Sequence, residues 1–349
     1  MNYLKPKNFL NFMYRMKLSG AIGMSLLKFG DKEYYIFYDQ HNNTNYCDPI
    51  ELYIDSFIKN IINKNTLVLL EEILDYGDDG EIITLWPSTP HTVRFKKFFL
   101  EYKNYNNVIP FDIRTILLPC SLYFVKKIFD QKDLNFENLD LNKLEKNLKQ
   151  VTVREYFYPL LYFLDIIEKD EYLHKKYDKI ISNIKTIKKE IISCFKKIGS
   201  KDKQQCNKIY SHYKKIKSRT QDFYDSYLEK FLNYKLLEFY NLNDNSSIIN
   251  SQIHKNFLED SNFNNYSWID TVDLILDSLM EFYGILIILC RNKDQTFLHS
   301  GLAHSSNIVW LLRNFYDFES VKDIGFTENN MHINHKINDI PIVSNCLAI

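Results

Sequence analysis

The chain of 349 residues reads as an α/β protein, a mostly parallel sheet flanked by helices with a large helical insertion. Three observations predict this. Four short apolar runs have the length and continuous hydrophobicity of covered parallel strands: YYIFYDQH (Tyr34 to His41), TLVLLEE (Thr66 to Glu72), NVIPFDIR (Asn107 to Arg114) and TFLHSGLAH (Thr296 to His304). Segments with apolar residues at 3–4 spacing separate the first three runs, the alternation of a β-α-β chain. From Leu117 to about Tyr240 the pattern is helical, rich in Lys, Glu and aromatic residues and almost without Gly.

Taken in order, Gly20 to His41 predicts a β-hairpin with Gly30-Asp31 at its turn. DPIELYIDSFIKNII follows as a helix, with Asp48 as N-cap and Pro49 at the first helical position. A loop rich in Gly, Asp and Pro (Asp75 to Pro90) leads into a helix from about Thr92 to Asn104, and NVIPFDIR is the third strand of a βαβαβ unit. Glu168 to Lys217 predicts a long helical pair broken near Gly199-Ser200. After an Asn/Ser-rich linker (Asn241 to Asn265), Trp268 to Arg291 is a long helix, TFLHSGL a strand and Ser305 to Asn314 the helix behind it. The expected organisation is a first part of the α/β core (1–116), a helical insertion or cap with linker (117–265), a second part of the core (266–318) and an irregular tail (319–349).

Composition narrows the classes. The 44 basic and 44 acidic residues leave no net charge, which argues against nucleic acid as the main partner, since phosphate binding needs a basic face. The Lys-dense stretch Lys185 to Lys217 is either a local basic patch or, on the plainer reading, a solvated helical face. Abundant Tyr, Phe, Asn, Lys and Ile beside only 9 Gly and 8 Pro suggest an AT-rich coding sequence, as in large DNA viruses and some protists. Cys47, Cys120, Cys194, Cys206, Cys290 and Cys346 are scattered, with no CxxC pair and no disulfide-like framework; this suits a reducing compartment. MNYLKPKNFLNFMYRMK has no continuous apolar core of signal-peptide length. The apolar stretch Ile269 to Cys290 carries Asp270, Asp273, Asp277 and Glu281 at helical spacing, so it reads as a buried amphipathic helix and not a membrane span. A cytoplasmic protein is the expectation, in host cytoplasm or a virion if the source is viral.

The strand ends carry the chemistry. In an open parallel sheet, ligands bind beyond the carboxyl ends of the strands. His41 stands just past the first run, where an imidazole can ligate a metal or act as a base. Glu71 and Glu72 close the second; because side chains alternate, one of the two faces the site. Asp112 and Arg114 close the third, with Arg114 able to hold carboxylates ionised or to grip an oxyanion. His304 falls at the start of a helix, where the dipole lowers a histidine's pKa, and Gly301 before it supplies a tight turn. His299 is a wall residue or a partner behind the site. Walker, G-x-G-x-x-G, G-x-S-x-G and kinase signatures are all missing from the sequence, which argues against a nucleotide-driven enzyme.

The late motif Gly301-Leu302-Ala303-His304 and the early Tyr38-Asp39-Gln40-His41 resemble those of the superfamily joining TraB/PrgY-type proteins, TIKI proteases, ChaN-like proteins and erythromycin-esterase-like hydrolases. The late motif matches that group's G-x-x-H. The early one departs from its G-E-x-H, with Tyr38 in place of glycine and Asp39 in place of glutamate. The resemblance covers roughly 20–114 and 268–318. It implies hydrolysis of a peptide, ester or lactone by water activated by His and Glu. A divalent metal (Mn, Zn or Fe) held by His41, Glu71 and His304 is one form of that chemistry; Asp112 completes the shell, and Arg114 stabilises the oxyanion. The other expectation is a catalytically inactive member, a viral interaction or virion protein meeting a host protein through the helical insertion. Finally, Cys346-Leu347-Ala348-Ile349 matches a prenylation pattern, making Cys346 a lipidation candidate and a membrane a partner only through that lipid.

Overall fold

A computed structural model describes residues 17–40, 47, 52–73, 90–102, 105–130, 141–243, 267–331 and 346–348. Its centre is a six-stranded sheet. The hairpin forms as expected: β2 (Gly23–Phe29) pairs antiparallel with β3 (Lys32–Asp39) across Gly30, which takes a φ of 59°. β5 (Thr66–Ile73) runs parallel to β6 (Val108–Asp112), and β7 (Gln295–Gly301) runs parallel to both β3 and β5. The strand order is β6-β5-β7-β3-β2-β8. The late strand β7 thus separates β3 from β5, so the unit β3-α-β5-α-β6 is split by a strand from the far end of the sequence.

Both faces of the parallel part are covered, which is why its strands are apolar throughout. Along β3, Tyr34, Ile36 and Tyr38 enter one core and Tyr35 and Phe37 the other. The smaller core holds α1 (Ile54–Ile61), through Phe57 and Ile58, and α2 (Pro90–Tyr102), through Phe95, Phe98 and Phe99. Helix α1 starts later than the sequence suggests: Tyr53 sits at its N-cap and Leu52–Tyr53 form β4, while Asp48 and Pro49 lie outside the described residues. β4, β1 (Lys17–Ser19) and β9 (Cys346–Ala348) make a small second sheet.

The larger core is built on the long helix α11 (Trp268–Arg291), almost every residue of which is buried. Against it pack α12 (Leu302–Asn314) and the helical insertion. The insertion runs through α3 (Arg114–Leu117), α4 (Leu122–Phe129), α5 (Leu141–Gln150), α6 (Val153–Phe163), α7 (Glu171–Lys176), α8 (Asp178–Gly199), α9 (Lys203–Phe223) and α10 (Leu236–Leu242). Thr152 and Glu155 form a reciprocal capping box at the start of α6. The insertion shares one continuous apolar cluster with sheet residues such as Tyr34 and Leu69, so it is part of the core. Among the described residues, no helix is long and apolar enough to cross a membrane.

Three expectations are corrected. The tail beyond Phe318 is not irregular: β8 (Glu319–Gly325) completes the sheet against β2, followed by α13 (Glu328–Met331) and β9. ESVKDIG escapes notice as a strand because an edge strand is half solvated and carries charge, which also protects the edge. Nor are all the cysteines unpaired: Cys47 is joined to Cys346 and Cys194 to Cys290, while Cys120 and Cys206 are free thiols. Partners 299 and 96 residues apart cannot be matched from spacing. Cys346 Sγ, held in a disulfide, is not available for a thioether to lipid.

Candidate functional site

The carboxyl ends of β3, β5, β6 and β7 share one edge, and a polar cluster lies there on the α11 side of the sheet. β5 decides which glutamate enters it. Leu67 and Leu69 face the larger core, and Glu71 follows them in register; Val68 and Leu70 face the smaller core. Glu72, whose side chain is also buried, therefore points away from the cluster if the alternation continues, although the ladder is irregular from Leu70 to Ile73. The site carboxylate of the pair is Glu71.

Arg114 is the hub. It follows β6 directly, because the chain turns from Asp112 into the short helix α3. Its Nε donates to Asp112 Oδ1 at 2.9 Å and its Nη2 to Asp112 Oδ2 at 2.9 Å, a two-pronged grip. Nη2 also donates to Glu71 Oε1 at 3.0 Å, and Nη1 to Asp277 Oδ1 at 2.8 Å. Burial opposes the guanidinium charge most, but Asp112, Asp277 and Glu71 together outweigh it and hold its pKa well above the ordinary value.

His304 lies in the first turn of α12, which begins at Leu302 with Gly301 at the N-cap, a turn earlier than the serines suggest. Gly301 has a φ of −55° and needs no left-handed freedom. Its service is its N–H, which donates to Glu71 Oε2 at 2.6 Å and ties the end of β7 to the end of β5. His304 Nδ1 is 3.1 Å from Glu281 Oε1, which also accepts from Asn307 Nδ2 at 3.0 Å. Nε2 lies 3.7 Å from Glu71 Oε1 and 4.0 Å from Asp277 Oδ1. The helix start does not keep this ring neutral. Burial is the largest single influence and opposes protonation, but Glu71, Asp277 and the Glu281 bond prevail over it and over Arg114, raising the pKa to about 9. The surrounding carboxylates thus favour the protonated ring. Its Nε2 lies 3.2 Å from Arg114 Nη1, within reach of a guanidinium N–H, whereas the Glu71 and Asp277 oxygens stand farther off.

Of the residues singled out in the sequence, Glu71, Asp112, Arg114 and His304 come together. His41 lies outside the described residues. Asp39 is buried at the end of β3, in register with Gly301. Tyr38, at the motif's glycine position, is a core residue whose hydroxyl is 2.8 Å from Ser25 Oγ. His299 is a wall residue, stacked on Phe95 with ring centres 4.1 Å apart and Nε2 3.2 Å from Gly20 O. Sequence reasoning missed Asp277 and Glu281 as site groups. Their signal was the acid spacing along α11, which puts them one turn apart on one face.

Of the three residues proposed to hold a metal, His41 lies outside the described residues, and Glu71 Oε1 is 3.7 Å from His304 Nε2. Among the described residues, no group of three or more His, Cys, Asp or Glu side chains is placed to hold a metal ion. Fold and site define a mostly parallel α/β protein with a buried Arg–His–carboxylate cluster at its strand ends. Comparison with protein-family models, characterised proteins and solved structures gives no match.

Proposed function

We propose that the protein is a hydrolase acting on a peptide, ester or lactone, using the cluster at the strand ends. The observation that carries this reading is the convergence of Glu71, Asp112, Arg114 and His304, from three separate strand ends, at one sheet edge. A hydrolase must take a proton from water and give one to a leaving group. His304, protonated and oriented through Nδ1 by Glu281, is the proton donor; Glu71, 3.7 Å from it, is the carboxylate that orients or deprotonates water. Arg114 is the frame, since each of its nitrogens already donates to a carboxylate, and this replaces the oxyanion role read from the sequence.

A panel of ester, lactone and peptide substrates tests this with wild type, His304→Gln and Glu71→Gln. Turnover should fall by about 10²–10⁴-fold in each variant, while circular dichroism shows the fold retained. A folded His304→Gln protein with undiminished turnover refutes the assignment. A second reading, an inactive scaffold that binds a protein through the helical insertion, is favoured by one observation: the cluster's side chains satisfy one another and are at most 13% exposed. Folded wild type with no turnover across the panel would favour it.

A further inference from the structure

The zero net charge of the chain conceals a segregation. Residues 178–223, which are α8, α9 and their turn, hold twelve lysines and Arg219 against four acids, Asp178, Glu190, Asp202 and Asp222. Their net charge is +9; taking 13 of 44 basic and 4 of 44 acidic residues leaves −9 for the remainder. The apolar faces of both helices are used inside, through Ile184, Ile187 and Ile191 of α8 and Ile209 and Ile216 of α9. The charge is therefore displayed outward. Lys185, Lys189 and Lys196 are exposed on one face of α8, and span about 16 Å at the helical rise. On α9, Lys203, Tyr210 and Lys214 are exposed, with Lys214 Nζ 4.6 Å over the Tyr210 ring, and that ring meets Phe195 of α8. Near the hairpin turn, burial and the nearby charges of Lys201, Arg291 and Lys293 lower the pKa of Lys197, so Arg291 at the end of α11 and Lys293 beyond it join the same end. Ion pairs withdraw some of this charge: Lys188 with Asp165, Lys208 with Asp317, and Arg291 with Glu190.

We propose that the outer face of the α8–α9 hairpin binds the phosphodiester backbone of nucleic acid without reading its sequence. Complementary charge carries the assignment. Lysines are point charges suited to phosphates, and they supply twelve of the hairpin's thirteen basic residues. The length also suits: a helix of 22 residues covers about 33 Å, near one turn of duplex DNA. An anionic bilayer fits less well, because a membrane-surface helix needs an apolar face to insert. Here that face is in the core, leaving Ile192 and Tyr210 as the exposed large apolar side chains of the hairpin.

The test is fluorescence anisotropy of the full-length protein with a labelled duplex of about 30 base pairs, beside sedimentation with phosphatidylserine vesicles. With about four phosphate contacts, affinity should fall roughly 10²-fold between about 50 and 200 mM salt. Lys185→Glu/Lys189→Glu/Lys196→Glu should weaken duplex binding by about 10-fold or more, with an unchanged melting curve, whereas Lys59→Glu on α1 should leave binding as it is. No duplex binding at the lower salt overturns the proposal. So does equal binding by the triple variant, or sedimentation with vesicles in a protein that ignores the duplex.

Discussion

Replacing Arg114 with Met removes the cation that holds three carboxylates at the sheet edge. Asp112, Glu71 and Asp277, with side chains 2%, 8% and 13% exposed, lose donors at 2.8 to 3.0 Å. Breaking one buried ion pair by deleting a partner costs about 3–5 kcal/mol, because the remaining charge is left without compensation. Three acids share this loss and protonated His304 offsets part of it, so about 4 kcal/mol is expected at pH 7.5. In a chain of this size that corresponds to a drop in Tm of roughly 5 °C. The variant's pH dependence supplies a second signature. Buried carboxylates without a counter-charge bind protons more readily folded than unfolded, so the gap to wild type should narrow from pH 7.5 to 5. Thermal melts followed by circular dichroism at both pH values measure both effects. Adding Asp112→Leu, which deletes the most buried of the acids, should recover part of the loss. A variant melting within about 2 °C of wild type, with no narrowing at pH 5, would refute the view that Arg114 is the electrostatic frame.

His304 gives the opposite pH signature. Its folded pKa, raised from 6.5 to about 9, adds stability that is complete below 6.5 and is lost as pH rises through 9. From pH 6 to 9.5 the unfolding free energy measured in urea should fall by about 3 kcal/mol more in wild type than in His304→Gln; equal falls would contradict the assignment. Gly23→Ala should cost about 3 kcal/mol or more, because a Cβ there would stand 1.8 Å from Phe326 O, a backbone atom. A melting curve like that of wild type would show that the β2–β8 end can move aside. Peptide mapping of non-reduced protein should recover Cys47 and Cys346 in one linked species. An alkylatable Cys346, or one carrying a lipid, would overturn the pairing.

What could be read from residues alone was local or periodic. The β2–β3 hairpin follows from alternation around Gly30-Asp31, and α11 matches its apolar run from Trp268 to Arg291. The strand-end residues Glu71, Asp112, Arg114 and His304 were legible because a strand end is visible where an apolar run meets charge. What escaped was non-local. Nothing in TFLHSGL says that it enters between β3 and β5, since strand order depends on how distant segments pair. Asp277 and Glu281 looked like the polar stripe of an amphipathic helix, and only the packing of α11 over the sheet edge turns that stripe inward. The pKa of His304 was misjudged for the same reason: a helix-end effect is local and worth up to about 2 kcal/mol, whereas three carboxylates arrive from elsewhere.

The place of β7 in the sheet has a consequence during synthesis. β3 and β5 are complete by residue 73, yet the strand that separates them begins at Gln295. Until that segment leaves the ribosome, the two earlier strands have open edges where β7 belongs, and unpaired edges invite pairing with other chains. Nascent chains or truncations ending before Gln295 should therefore aggregate or recruit chaperones, and productive folding waits for β7.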